Sequence, residues 1–343
     1  MRATSLLAAG LGTAALARWR PWDHAKLGGS VVLITGGSRG LGLLLAREFG
    51  AAGARLALCA RNVSELARAR DELASRGYEV FAMRADVSDR QEARLFVEQT
   101  VAHFGQLDMI VNNAGIIQVG PAQAMTPSDF HDAVGAIFWG TCNVTTAATP
   151  YLRRSASPRI VNITSIGGVV AVPHMLPYSA AKFATVGYSM GLAAELASEG
   201  IRVVTIVPGL MRTGSHVNAL VKGRRTAEAG WFSLSASAPL LSMDGERAAR
   251  RIVSAARRGV PFAVIGLPAK LLRMASALAP GLTTDVLGFV ARLMPSAARG
   301  PEAEATRAGD HLEGAGTSSL TALGDRAALR NNEMQVPPRE QLH

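Results

Sequence analysis

Tyr178 and Lys182 stand four residues apart in Pro177-Tyr178-Ser179-Ala180-Ala181-Lys182. On a helix this spacing puts both on one face, one turn apart, so a phenol and an ammonium can share a site. A phenol at its ordinary pKa of about 10 is a poor base at neutral pH, and a cation held nearby lowers that value by favouring the phenolate. The pair therefore predicts general acid-base work on an alcohol or a carbonyl. Ser165 lies upstream at the end of an expected strand and adds a hydroxyl.

A second chemical signal is the loop Thr35-Gly36-Gly37-Ser38-Arg39-Gly40-Leu41-Gly42, which follows an apolar run and opens a helix to about Ala52. Glycines at 36, 40 and 42 let the backbone turn tightly and approach a pyrophosphate, whose charge a helix N-terminus favours. The choice of dinucleotide rests on the end of the second strand, Leu58-Cys59-Ala60-Arg61. An acidic residue there would bond the adenine ribose and repel a 2′-phosphate, and none is present. Arg61 and Arg39 offer guanidinium forks suited to a phosphate dianion, so NADP(H) is expected to be preferred while NAD(H) stays open.

Positioning these groups takes a particular order of elements. From Ser30 onward, short apolar runs alternate with helical stretches. Strands are expected at Val31 to Ile34, Arg55 to Cys59, Glu79 to Arg84, Asp108 to Asn112, Ile160 to Thr164, Arg202 to Val207 and Phe262 to Ile265. Helices are expected at Ser64 to Arg76, with Ser64 as N-cap and Leu66, Ala69 and Leu73 on one face, and from a Ser88 cap to Phe104. A long helix ending near Leu152, the Tyr178 helix, and Gly245 to Arg258 complete the series. This alternation predicts an α/β fold, a single Rossmann-like doubly wound parallel sheet with helices on both faces, plus apolar N-terminal and C-terminal helical extensions.

The catalytic domain is expected over 27–267. Within it, 210–243 loses the periodicity and is too long for an ordinary connection, which suggests a substrate lid. Residues 268–296 read as an apolar helical extension broken at Pro280-Gly281, and 297–343, rich in Gly, Ala, Glu and Arg, as a disordered tail. At the other end, 1–26 carries the apolar run Leu6 to Ala17 between Arg2 and Arg18, with Trp19 and Trp22 beyond. It is short for a membrane span and suits a leader or a helix lying on a membrane face.

Composition narrows the function classes. Of 343 residues 48% are hydrophobic and 18% charged, enough for a large core. The formal charge is +10, carried mainly by arginine, since Lys26, Lys182, Lys222 and Lys270 are the only lysines. No basic run is interleaved with aromatics, so no nucleic-acid partner is expected. Cys59 and Cys142 are far apart and the histidines scattered, so neither a disulfide framework nor a metal is expected. A reducing, cytoplasmic setting follows.

With these residues in place the chain resembles the short-chain dehydrogenase/reductase family, in its compact branch, from about Leu27 to Leu267. The resemblance rests on the Thr35–Gly42 loop, Asp86-Val87, Asn112-Asn113-Ala114-Gly115, Ser165, Tyr178 with Lys182, and Pro208-Gly209 followed by Thr213. It implies that Asp86 and Val87 border the adenine, and that Asn113, Ala114 and Gly115 line the cofactor. It also implies that Ser165 bonds the substrate oxygen, that Tyr178 exchanges its proton, and that Lys182 holds the nicotinamide ribose while acidifying the tyrosine. Pro208, Gly209 and Thr213 would embrace the carboxamide end. One position departs from the pattern: Ile137 stands where relatives carry an asparagine that helps hold a relay water, and Thr141 is a candidate substitute.

These expectations describe an oxidoreductase interconverting a secondary alcohol and a ketone or aldehyde. Met211, Leu220, Val221, Trp231, Phe232 and Leu234 in the lid suggest a hydrophobic, lipid-like substrate. A homo-oligomer and a peripheral contact at the cytoplasmic face of a membrane are expected. The alternative, motivated by Ile137, is a nucleotide-binding scaffold or sensor with vestigial catalysis.

Overall fold

The computed structural model describes residues 24–296, 307–308 and 321–334. The apolar run Leu6 to Ala17 and the remainder of the expected tail lie outside the described residues. Seven parallel strands form the central sheet: β1 (Val31–Thr35), β2 (Arg55–Ala60), β3 (Val80–Arg84), β4 (Met109–Asn112), β5 (Arg159–Ile163), β6 (Arg202–Pro208) and β7 (Phe262–Ile265). Their spatial order is β7-β6-β5-β4-β1-β2-β3, a doubly wound arrangement whose strand order reverses beside β1.

β1 shows why this sheet needs helices on both faces. All five of its residues are buried, and alternate side chains point opposite ways. Val32 and Ile34 join a core with Leu43, Leu45 and Phe49 of α1 (Gly40–Ala51), Leu66 and Leu73 of α2 (Val63–Ser75), and Ile252 further along the chain. Val31 and Leu33 join a second core with Phe96 and Val97 of α3 (Arg90–Phe104) and more C-terminal residues such as Val144 and Leu152. A strand buried on both sides is the signature of a parallel sheet between two helical layers.

Local details differ from the sequence expectation. α2 is capped by Asn62, whose side chain accepts from the backbone N–H groups of Ser64 and Glu65, and Ser64 is not the cap. α3 is likewise capped by Asp89 instead of Ser88. In both places two cap-competent polar residues lie close together, and the one whose carbonyl or carboxylate reaches the N2 and N3 amides takes the role. The long helix ending at Leu152 is three pieces: α4 (Pro127–Ala133), a π-helical stretch at Val134–Trp139, and α5 (Gly140–Leu152). Ile137 sits in the π-helical stretch.

After β5 come α6 (Leu176–Glu195), β6, and then the expected lid region. This region contains α7 (Arg225–Ser237) and is clamped to the body. Lys222 Nζ donates to Asp129 Oδ2 at 2.6 Å, both side chains buried. Gln118–Val119, Leu220–Val221 and Arg307–Ala308 form a small separate sheet. α8 (Gly245–Arg258) packs on α1, and α9 (Leu267–Leu278) and α10 (Pro280–Leu293) form a hairpin that breaks near Pro280.

The expected disordered tail is corrected at its described residues. α11 (Ala322–Arg330) is a helix that packs against α7. Gly214, at φ 92°, leaves room for the backbone of Ala328, and His216 Nε2 lies 3.2 Å from Asp325 Oδ1. Composition alone hid this, because the helix is held by small residues at close approach and not by a long apolar stripe.

Candidate active site

Tyr178 is in the first turn of α6, with Pro177 preset for a helix start. One turn later Lys182 is buried, and its Nζ donates to the backbone oxygen of Ile163 at the end of β5 (2.8 Å). Ser165 follows β5 in extended conformation; its Oγ accepts from Gly167 N at 3.0 Å, and Ser165 Oγ and the Tyr178 ring both border Gly167. The turn carrying Ser165 lies tight against α6: a Cβ on Gly168 would meet the Lys182 carbonyl oxygen at 2.8 Å. Ser165, Tyr178 and Lys182 are thus brought together.

Their electrostatics differ from the expectation. Burial raises the Tyr178 phenol above its ordinary value, and the Ser165 hydroxyl only partly opposes this. The expected lowering by Lys182 is not realised, because the ammonium turns to the Ile163 carbonyl and lies 5.7 Å from the ring centroid. Burial in turn lowers Lys182 to about 8. Desolvation outweighs the attraction between the two.

Ile137 is buried and, with Lys182 Nζ, borders the space beside Gly115. Thr141 does not replace the asparagine: its hydroxyl donates back to the Ile137 carbonyl oxygen (2.8 Å) in the preceding π-helical stretch.

The glycine loop is built as the sequence requires. Gly36 has φ 63° and Gly40 φ 53°, and a Cβ on Gly42 would overlap the Gly36 carbonyl oxygen. Thr35 Oγ1 accepts from the amides of Asn113 and Ala114, both 3.0 Å, and Asn113 Nδ2 donates to the oxygens of Thr35 and Gly36. The Asn113–Gly115 segment is thereby locked to the loop. α1 starts with no side-chain cap and no acid in its first turn, which leaves its N-terminus suited to an anion. Ser38 is buried beside it and Leu41 packs on the core.

The remaining expected cofactor residues stand at or beyond the ends of β3 and β6. Asp86 caps the turn after β3, accepting from Ser88, and Val87 packs in the second core. Burial pushes Asp86 up, but hydrogen bonds from Ser88 outweigh it and hold the carboxyl below its ordinary range. Gly209 N donates to Ile265 O (2.9 Å) after Pro208, and Thr213 is buried. Both candidate phosphate-binding arginines have acidic neighbours: Arg39 lies 3.6 Å from Glu65 and from Glu333, and Arg61 3.9 Å from Asp86.

Sequence reasoning missed two groups. His174 Nδ1 lies 2.9 Å from both oxygens of the fully buried Glu228 of α7, which also accepts from Trp231 Nε1 at 2.7 Å. The other is Asn331, Asn332 and Glu333, which follow α11 and lie on the glycine loop. Each joins residues distant in sequence and polar in type, so no periodicity marks it. Among the described residues no group of three or more His, Cys, Asp or Glu could hold a metal ion.

The fold and this site define a dinucleotide-dependent oxidoreductase. The family described as short chain dehydrogenase matches residues 30–221, and the chain belongs to it. The Mycobacterium tuberculosis protein SadH, which bears the name of an oxidoreductase, is 33% identical over 244 residues, 71% of this chain and 88% of that one. The 3-oxoacyl-[acyl-carrier-protein] reductase FabG of Staphylococcus aureus is 34% identical over 180 residues, 52% of this chain and 73% of its own. Among solved structures, a short chain dehydrogenase from Mycobacterium paratuberculosis bound to NAD superposes with TM-score 0.65 at 25% identity, covering 72% of this chain and 100% of that one. The chain is therefore an NAD(P)-dependent dehydrogenase or reductase of this family.

Proposed function

We propose that this enzyme interconverts a secondary alcohol and a ketone or aldehyde on a hydrophobic substrate, with Tyr178 as acid and base and NADP(H) as the preferred cofactor. The observation that carries the reading is the convergence of the Ser165 hydroxyl and Tyr178 phenol beside the buried ammonium of Lys182. A nicotinamide bound beside them would supply hydride. Tyr178 donates its proton to the carbonyl oxygen, and burial keeps the phenol in the protonated form that this step needs. Ser165 donates to the same oxygen and stabilises the charge that develops there. Lys182, which here donates to Ile163, would hold the ribose of a bound dinucleotide and, as a cation, would stabilise the phenolate left behind.

Asp86 and Val87 would flank the adenine, Asn113 to Gly115 the cofactor's middle, and Pro208, Gly209 and Thr213 its carboxamide end. The absence of an acid at the end of β2 and the presence of Arg39 and Arg61 favour a 2′-phosphate. That phosphate would have to draw Arg39 from Glu65 and Glu333. Trp231 and Phe232, packed with Val119 and Tyr178, support an apolar substrate.

The α9–α10 hairpin supports a membrane-face contact. Leu271, Leu278, Phe289 and Leu293 are 56%, 81%, 60% and 73% exposed on it, while Lys270, Arg273 and Arg292 supply positive charge. No helix among the described residues is long and apolar enough to cross a membrane. A homo-oligomer fits the family habit, and flotation with anionic vesicles separates the two uses of this face.

The second reading, a dinucleotide sensor with vestigial chemistry, is favoured by Ile137 beside Lys182. A panel of ketones and aldehydes with NADPH, run beside Tyr178→Phe, decides between them. Tyr178-dependent NADPH oxidation on an apolar ketone supports the enzyme; none on any substrate supports the sensor.

A further inference from the structure

The segment after α11 lies on the surface that the dinucleotide reading assigns to phosphate. Gly40 N, at the start of α1, donates to the Asn331 backbone oxygen at 2.8 Å. Asn331 Nδ2 reaches across to the Thr213 carbonyl oxygen at 3.0 Å, and Arg47 of α1 donates to Asn331 Oδ1 at 3.1 Å. Asn331 therefore bridges the glycine loop and the loop after β6. Asn332 Nδ2 donates to the backbone oxygens of Ser38 (2.8 Å) and Glu65 (2.9 Å), along the side where the adenine ribose belongs.

Glu333 completes the arrangement. Its carboxylate lies against Gly40 so closely that a Cβ there would collide with it, and it pairs with Arg39 at 3.6 Å. Asn218 Nδ2 donates to Glu333 Oε2 at 2.6 Å. A carboxylate thus sits beside a helix N-terminus whose first amide is taken by the Asn331 oxygen, with an arginine next to it, the position that the glycine-loop chemistry reserves for phosphate. The cradle accepts an anion, and the anion it holds belongs to the chain itself.

We infer that residues 331–333 form an autoinhibitory strap that stands in for the dinucleotide's phosphates, so that the cofactor binds only as the strap leaves the glycine loop. The inference rests on the dinucleotide reading of that loop. Two observations favour a strap that can leave. Glu333 is almost fully buried, and burial pushes its carboxyl up to about 7 despite Arg39 and Asn218, so the docked carboxylate is held at a cost. Its anchor, α11, packs through Ala328 against Gly214 and Gly324 against His216 and Ser237, and its polar ties to the body include His216 with Asp325 and Arg47 with the Arg330 oxygen. The two loops beneath the strap are also bonded to the body independently of it, through Gly37 N to Cys59 O and Gly209 N to Ile265 O.

The test uses the full chain and two readouts, NADPH and NADH affinity by titration calorimetry and hydrogen exchange of 321–334. Asn331→Ala, Asn332→Ala and Glu333→Ala together remove the strap's side-chain contacts with the glycine loop, and Ala328→Arg undocks its anchor by a separate route. If the strap is docked about nine-tenths of the time, either change should tighten the dissociation constant for NADPH about tenfold. Saturating NADPH should also speed exchange in the wild-type strap. Unchanged affinity in both variants, with the strap still protected when NADPH is bound, overturns the inference and leaves the dinucleotide reading intact. If the wild type and both variants bind neither dinucleotide, the cofactor reading fails and the inference with it.

Discussion

The two walls of the candidate site are built in opposite ways. On one, Ser165, Tyr178 and Lys182 come from a strand end and one helical turn, with Ser165 and Lys182 bonded to the adjoining backbone and the Tyr178 ring beside them. On the other, the glycine loop is shared with residues far along the chain, as in the bond between Asn332 and Ser38 across 294 positions. The first wall is fixed by the sheet; the second is shaped for an anion that either the chain or a ligand can supply. Under the proposed function the site is rigid in its backbone where protons move, with only the Lys182 side chain turning, and yielding where the cofactor enters.

The sharpest way to break this comparison is at the rigid wall. Lys182→Met should lower turnover by about 10²–10⁴-fold. It should not lower the melting temperature, because a cation buried against one carbonyl is a desolvation cost. A matching loss of stability would make Lys182 structural. Almost as large an effect is expected at the Lys222–Asp129 pair, which clamps the expected lid region to the body. Lys222→Ala leaves Asp129 buried and unpaired, which should cost about 3–5 kcal/mol in urea unfolding. A loss below about 1 kcal/mol would mean that the lid is not held by this pair.

pH separates the walls further. With Lys182 lowered to about 8, the cation is lost as pH rises through that value, so carbonyl reduction should fall above it. The stability sign is opposite. Below about 8 the lysine is charged in both states and burial penalises the fold; between about 8 and the ordinary 10.5 the unfolded chain keeps the proton longer, so stability rises with pH. A reduction rate flat from pH 7 to 9.5 would contradict this. The smallest effect is expected at Ile137→Asn, a rise in turnover of a few fold if proton resupply limits the rate. Unchanged turnover would show that the relay is irrelevant here.

What could be read in advance follows the same division. The rigid wall was legible because Tyr178 and Lys182 are related by helical spacing, and the sheet because runs such as Val31 to Ile34 are apolar throughout. The sign of the Tyr178 shift was not legible. It depends on where the Lys182 ammonium turns and on how completely both groups are buried, which spacing does not specify. α11 and the strap were missed for another reason. Their contacts are backbone oxygens, small residues and single amides, which leave no periodic trace in composition.

The account stands most directly on Tyr178→Phe, with turnover and NADPH affinity measured on the same preparation. It predicts that turnover with an apolar ketone falls by about 10²–10⁴-fold while the dissociation constant stays within about twofold, since the oxygen removed belongs to proton transfer. Turnover retained at the wild-type level would contradict it.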